Sequence, residues 1–360
     1  MRQFRGASLR LGSLRMRILI VRLSAMGDVI HAMPAVAGLR RAFPDVELDW
    51  AIEERWASLV SAGETAAALS PEQPLANVVH RVHMRRWRKS PFSNSTMTEL
   101  RALKQRLRAV QYDHVIDLQG AIRSALLARA TGAKVIAGAA QPRELPARWF
   151  YNVKAHTPAR HVVDQAAETV SAAVGKTISP ESPPFPTSPE AESWADRVLA
   201  DVSQFALINP GAGWGAKCWP AERYSAVVRA LGKHGVQSLV NAGPGELELA
   251  RAVCRGNEDI ARIVECSILQ LIALTRRAAL CVGGDTGPVH LASALGIPVT
   301  AIFGPTDPTR NGPYGGRYMV LRSPESKRDH TRYREPEAGL LTITVEQVSE
   351  AALSLLGVTA

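Results

Sequence analysis

Three observations predict an α/β fold built as two doubly wound halves. Short apolar runs are followed again and again by a glycine turn and an amphipathic helix, the β-turn-α pattern of a parallel sheet. The segment Ser179-Pro-Glu-Ser-Pro-Pro-Phe-Pro-Thr-Ser-Pro189 packs five prolines into eleven residues, and the pattern restarts beyond it. No helix or central strand survives that density of proline, so the segment reads as a linker. Finally, a chain of 360 residues exceeds the size at which a single core keeps growing.

The first half is expected to span 16–178. Arg17-Ile-Leu-Ile-Val-Arg22 is a strand that ends in the turn Leu23-Ser-Ala-Met-Gly-Asp28, and a helix follows as far as Phe43-Pro44. Val46–Ile52 and Asn77–Val82 read as the next strands. Arg85-Arg-Trp-Arg-Lys89 then sets four cations around one tryptophan, which reads as a loop meeting an anion more than as a solvated helix face. Glu99–Val110 has helical spacing, and Tyr112–Leu118 is a strand closing on Gln119-Gly120. Arg123 and Arg143 follow in or near loops after strands, which line the ligand crevice of open α/β sheets. Val162–Val174 is a helix.

The second half is expected to span 190–344. Glu190–Leu199 is helical, Phe205–Asn209 is a strand, and Pro210-Gly-Ala-Gly-Trp-Gly-Ala-Lys-Cys-Trp-Pro220 is a glycine-rich loop before a helix. Closely spaced glycines and a lysine there suit a phosphate, because backbone N–H groups can approach and the ammonium neutralises charge. The loop is neither a Walker A motif nor a dinucleotide fingerprint. Gln237–Asn241 leads to Glu246, placed either to accept the hydroxyls of a ribose or to stabilise the dipole of its own helix. Arg262–Val264 and Leu269–Ala278 give a short strand and a helix.

In the stretch Ala279–Pro308, strand, turn, short helix and second strand succeed one another. Asp285, Thr286 and Gly287 stand where its helix begins, offering either a cap or an anion seat. Val345–Leu356 is an amphipathic helix expected, as the 345–360 tail, to pack back on the first half.

A hydrophobic content of 46% with 21% charged residues is ordinary for a globular chain, whereas a formal charge of +10 favours an anionic partner. The four cysteines show no paired spacing and point to free thiols in a reducing, cytoplasmic setting. No run of residues is long and apolar enough for a membrane span. Residues 1–15, with four arginines, are expected to be a disordered basic extension, either a membrane-touching arm or an artefact of start-codon choice. The second is favoured because Met16 opens a clean strand. Low aromatic content argues against a nucleic-acid binder.

Several motifs together resemble the lipopolysaccharide heptosyltransferase I group of glycosyltransferase family 9. They are Ser24-Ala-Met-Gly-Asp-Val-Ile-His31 with Met33-Pro34, Arg85–Lys89, Asp117-Leu-Gln-Gly120, Phe150-Tyr-Asn152, Lys217-Cys-Trp-Pro220, and Gly284-Asp-Thr-Gly287 with His290. The resemblance runs from Met16 to about Leu321 and implies a GT-B architecture, two Rossmann-like domains facing each other across a cleft. It implies inverting transfer of L-glycero-D-manno-heptose from ADP-heptose to the Kdo of Kdo-lipid A.

On this resemblance Asp28 is the general base, and Ala212, Gly213, Lys217, Glu246, Asp285, Thr286, Gly287 and His290 hold the donor, with Glu248 a rival to Glu246. Asp285 is expected to brace its turn while backbone N–H groups bind phosphate. Ser24, Arg85, Arg86, Arg88, Lys89, Arg123 and Arg143 hold the acceptor. No metal and no cofactor is expected, and the enzyme is expected to be a monomer resting on the anionic cytoplasmic face of the inner membrane. The donor loop Gly211-Ala-Gly213 departs from related enzymes in lacking hydroxyl side chains, so its backbone must serve. The alternatives are a family member with another sugar or acceptor, and a nucleotide-sugar epimerase of the same fold.

Overall fold

The computed structural model describes residues 15–63, 68–329, 331 and 333–358; all but Arg15 of the expected basic extension lies outside the described residues. Two six-stranded sheets organise the molecule, every strand pair within them parallel. The first contains β1 (Arg17–Val21), β2 (Glu47–Glu53), β3 (Val78–Val82), β4 (His114–Asp117), β5 (Val135–Ala139) and β6 (Val153–Ala155), in the order β3-β2-β1-β4-β5-β6. The second contains β7 (Phe205–Asn209), β8 (Gln237–Asn241), β9 (Ala261–Val264), β10 (Leu280–Gly284), β11 (Val299–Phe303) and β12 (Tyr318–Arg322), in the order β12-β11-β10-β7-β8-β9.

The central strands β1 and β7 are apolar but for Arg17 at one end and Asn209 at the other, because helices cover both faces: Ile18, Leu19, Ile20 and Val21 are fully buried, as are Ala206, Leu207 and Ile208. Strand order reverses between β1 and β4 in one sheet and between β7 and β10 in the other. The segments leaving those strand ends cannot cross each other and so splay apart, opening a crevice at each switch point. The turn carrying Asp28 leaves β1, Gln119 leaves β4, the 210–220 loop leaves β7 and Asp285 leaves β10.

The expected central elements are present, but three strands went unread, and two of those three are edge strands. β6 has three residues, β12 lies at the margin of the second sheet, and β5 is the small-residue run Val-Ile-Ala-Gly-Ala. Neither length nor alternation marks them in the sequence. The helix Ile122–Ala130, which carries Arg123, was likewise unread.

The C-terminal helix corrects an expectation. Val345–Leu356 packs on the second half, where Val348, Ala352, Leu353 and Leu355 join Ala206, Ile208, Val227 and Leu231 in one buried cluster. A capping box starts this helix, the Thr344 hydroxyl accepting from Gln347 N–H and the Gln347 side chain accepting from Thr344 N–H. Trp219 and Arg223 both donate to the carbonyl of Ile343 and so fix the approach to it. Among the described residues no helix is long and apolar enough to cross a membrane.

Candidate active site

The helix Met26–Ala42 begins in the turn after β1, and Asp28 lies in its first turn with its side chain 44% exposed. One carboxylate oxygen accepts from Ala25 N–H at 3.0 Å; the other meets Arg22 Nη2 at 3.0 Å. Arg22 also donates to the carbonyls of Asp28 and Leu118, tying the ends of β1 and β4 together. Gln119 completes the brace, its Oε1 accepting from Leu23 N–H at 2.7 Å and from Ser24 N–H at 3.2 Å. Asp28 therefore caps its helix and still faces the crevice, so the two readings of it are compatible. A carboxylate that is held in place but open to solvent can take a proton from a bound hydroxyl.

Asp117 is buried, where it accepts hydrogen bonds from the N–H groups of Gln119 and Gly120, from Ser124 Oγ and from Tyr151 OH. Burial pushes the Asp117 carboxyl up, against the pull of these donors. Two of the quoted motifs, Asp117–Gly120 and Phe150–Asn152, thus meet in one structural brace around the Asp117 carboxylate.

Residues 84–89 correct a second expectation. They form a short helix, Met84–Lys89, rather than a loop, since the Glu53 carboxylate accepts from Met84 N–H and Arg85 N–H at its start. Trp87 is buried, and its indole N–H donates to Glu99 Oε2 at 2.7 Å, beside an Arg86–Glu99 ion pair. Arg85, Arg88 and Lys89 are exposed, and Arg85, Arg86 and Lys89 line an open cleft with His83, Glu53 and Glu54. Arg123 and Arg143 stand exposed nearer Gln119: Glu144 N–H donates to the Gly120 carbonyl, and its carboxylate accepts from Ile122 N–H. The six acceptor-side cations therefore form two groups, one past β3 and one past β4 and β5.

In the second half, Asp285 directly follows β10 and is buried. Its Oδ2 meets Lys217 Nζ at 2.5 Å and its Oδ1 meets His290 Nε2 at 2.9 Å. Burial pushes this carboxyl up, but the histidine's hydrogen bond and charge and the lysine's ammonium outweigh it and hold the group well below the usual carboxylate range. Thr286 is the N-cap of the helix Gly287–Ala294, yet its side chain makes no capping bond. The Thr286 side chain thus does not cap the turn, and the helix presents its N-terminal N–H groups, of which Pro288 contributes none, uncapped by it.

Lys217 approaches from the glycine loop and is partly exposed. That loop is held from behind, Ala216 N–H donating to the carbonyl of Tyr333 and Glu337 N–H to that of Ala216. Glu246 lies against Gly211, where an added Cβ would come within 2.2 Å of both carboxylate oxygens, and it accepts from Gly243 N–H. Burial pushes its carboxyl up. Glu248 instead turns outward and pairs with Arg251 on the helix surface, and Gly213 is exposed with open space on its Cα. Ala212 is half-buried beside it.

The two turns touch. A Cβ on Gly287 would stand 2.5 Å from Met26 Sδ, and one on Gly27 would stand 2.8 Å from the His290 ring. His290 is buried, its ring 4.3 Å from that of His31 and its Nε2 bonded to Asp285. Its Nε2 is thus engaged by Asp285, through which it acts on the turn. His161 sits 5.5 Å from His31 and bonds to the Gly312 carbonyl, while Tyr314 OH donates to Asp164, so the halves meet along one continuous seam. Arg310 stands at the surface of the second half, close enough to Asp28 to feel its charge, and desolvation by the groups around it draws its pKa down.

Sequence reasoning missed Arg22, His31, His161 and Arg310. Each acquires its place only where distant segments converge, and the sole advance signal was the presence of His31 in the first quoted motif.

The family model for glycosyltransferase family 9 (heptosyltransferase) matches residues 100–340. The chain belongs to that family. It is therefore a glycosyltransferase, which sets aside the epimerase reading. Lipopolysaccharide heptosyltransferase 1 of Escherichia coli K12 is 31% identical over 313 residues, covering 86% of this chain and 94% of that protein. The enzyme of the same description from Pseudomonas aeruginosa is 32% identical over 316 residues, covering 86% and 84%. Among solved structures, E. coli heptosyltransferase WaaC with ADP matches at a TM-score of 0.76 and 29% identity, covering 93% of this chain and 98% of that one. That likeness agrees with the GT-B architecture expected from two facing Rossmann-like halves.

Proposed function

We propose that this family 9 enzyme transfers L-glycero-D-manno-heptose from ADP-heptose to the Kdo of Kdo-lipid A, with inversion, during lipopolysaccharide inner-core synthesis. The names of its relatives support heptose and lipopolysaccharide, and the WaaC complex supports ADP. The observation that carries the reading is the juxtaposition of two helix N-termini at the crevice. One bears a half-exposed carboxylate, Asp28; the other, at Gly287, stands beside Lys217.

In the reaction, Asp28 takes the proton of the acceptor hydroxyl as its oxygen attacks the anomeric carbon from the side opposite ADP. The bond from that carbon to the diphosphate oxygen breaks, and negative charge gathers on the departing ADP. Lys217, the 287–289 helix terminus and the Ala212-Gly213 backbone are placed to stabilise that charge, where it is worth most. Glu246 holds the ribose, and Asp285, braced by His290, fixes the lysine. Arg85, Arg86, Arg88, Lys89, Arg123 and Arg143 bind the acceptor's carboxylates and phosphates, with Ser24 at the catalytic turn. On this scheme residues 16–178 are the acceptor domain and 190–344 the donor domain, acting as a monomer on the cytoplasmic face of the inner membrane.

The test is transfer from ADP-heptose with Kdo-lipid A present and absent. Turnover is expected only with both substrates; equal turnover of a UDP-sugar without a Kdo acceptor would remove the proposal.

A further inference from the structure

Four of the large apolar side chains exposed among the described residues lie together on one pair of packed elements in the first half. Ile122 and Leu126 lie one turn apart on the Ile122–Ala130 helix and are 37% and 51% exposed. Leu145 and Trp149 lie on the 3-10 helix Leu145–Phe150 and are 60% and 77% exposed. The inner faces of these elements, Leu127, Ala128 and Ala147, are buried in a common cluster, so the outer residues are apolar by choice of sequence rather than by failure to pack. Scattered single apolar residues need no explanation, but a group of this kind does.

The setting of the group identifies its partner. Exposed Arg123, Arg129, Arg143 and Arg148 flank it, against one acid, Glu144, whose carboxylate is engaged by Ile122 N–H. Indole, with an apolar body and a polar N–H, favours the boundary between water and lipid. Arginine stems bury along apolar surface while their guanidinium groups reach phosphate. A second copy of the same face would set four arginines against four and is disfavoured by charge.

We propose that Ile122, Leu126, Leu145 and Trp149 insert into the headgroup region of an anionic bilayer, with the flanking arginines on its lipid phosphates. The proposal deepens the functional reading and rests on it in one respect: it brings Arg123 and Arg143, proposed acceptor ligands, to the surface where a lipid-anchored acceptor emerges. The site thereby meets its substrate without extracting the acyl chains from the bilayer.

Flotation of the full chain with vesicles tests the surface separately from the reaction. Vesicles of phosphatidylcholine with roughly a third phosphatidylglycerol are expected to bind the protein at least about tenfold more tightly than phosphatidylcholine alone. The double variant Leu126→Ser, Trp149→Ser is expected to lose about tenfold of that affinity, whereas Met319→Ser, on the exposed edge of the second half, keeps it. Both positions are exposed, so the melting temperature and the rate on a water-soluble, deacylated Kdo acceptor should hold while the rate on vesicle-borne Kdo-lipid A falls.

Unchanged vesicle binding by the double variant would overturn the proposal, as would self-association of the wild type that the same substitutions abolish. Failure on the soluble acceptor with vesicle binding intact would instead remove the heptosyl-transfer reading and leave the surface standing.

Discussion

Two aspartates each follow a glycine just beyond a central strand, Gly27-Asp28 after β1 and Gly284-Asp285 at the end of β10, and the protein uses them in opposite ways. Asp28 is 44% exposed at its side chain and Asp285 only 6%. Asp28 pairs with Arg22 and keeps a solvent-facing side; Asp285 is enclosed between Lys217 and His290. The difference follows from what the other half brings up. Met26 and Gly287 close over the Asp285 side of the seam together with His290 and His31, whereas Asp28 stays open to solvent with Arg310 of the second half within reach of its charge. A buried, doubly paired carboxylate cannot readily exchange a proton and so serves as a brace. A half-exposed one can serve as a base.

That contrast can be broken by substitution. Asp28→Asn is expected to lower kcat by about 1,000-fold while ADP binding, read by calorimetry, is unchanged, since a lost general base acts on the chemical step. A variant with full turnover would remove the assignment. Lys217→Ala should cost turnover about 100-fold. It should also lower the unfolding free energy by about 3 kcal/mol, because it leaves Asp285 buried against His290 alone. Denaturant titration checks the second part, and Asp285→Asn in the Lys217→Ala background should recover some of the loss.

Smaller effects sharpen the comparison. Glu246→Gln is expected to weaken ADP binding about tenfold, the worth of one hydrogen bond to a charged group, while Glu248→Gln leaves it alone. Because burial raises the Glu246 carboxyl, its share of ADP affinity is present at neutral pH and fades as acid protonates it, before an ordinary glutamate would be affected.

The smallest effect concerns the seam. Burial, helped by His290 and His161, holds His31 neutral well below its ordinary value of 6.5. The unfolded chain takes up a proton near that pH and the folded chain does not, so the stability is complete above it and declines as pH falls. Over the first unit of that decline the loss is about 1 kcal/mol, and His31→Gln should flatten it in denaturant midpoints measured across the range.

Much of this was legible in the sequence. Apolar runs of the length of β1, β7 and β10 read as strands covered on both faces, and a glycine followed by an acid beyond β1 and β10 marks turns that line a crevice. Five closely spaced prolines separate the halves in the chain itself. Family motifs reached further than spacing, marking Asp28, Lys217 and Asp285 together. Spacing failed at 84–89, where the Glu53 carboxylate turns a cationic run into a capped helix, and at the C-terminal helix, whose apolar face fits either half until packing chooses.

What the sequence determined by itself was local: where the backbone is extended, where it turns, and which side chains stand at the turns. Only the tertiary structure decided which aspartate is open and which enclosed, that His290 reaches the turn through Asp285, and that Arg22, His31 and Arg310 belong to the site. The physical reason is that burial and charge pairing depend on segments far apart in the chain, and no spacing along the backbone records which of them will meet.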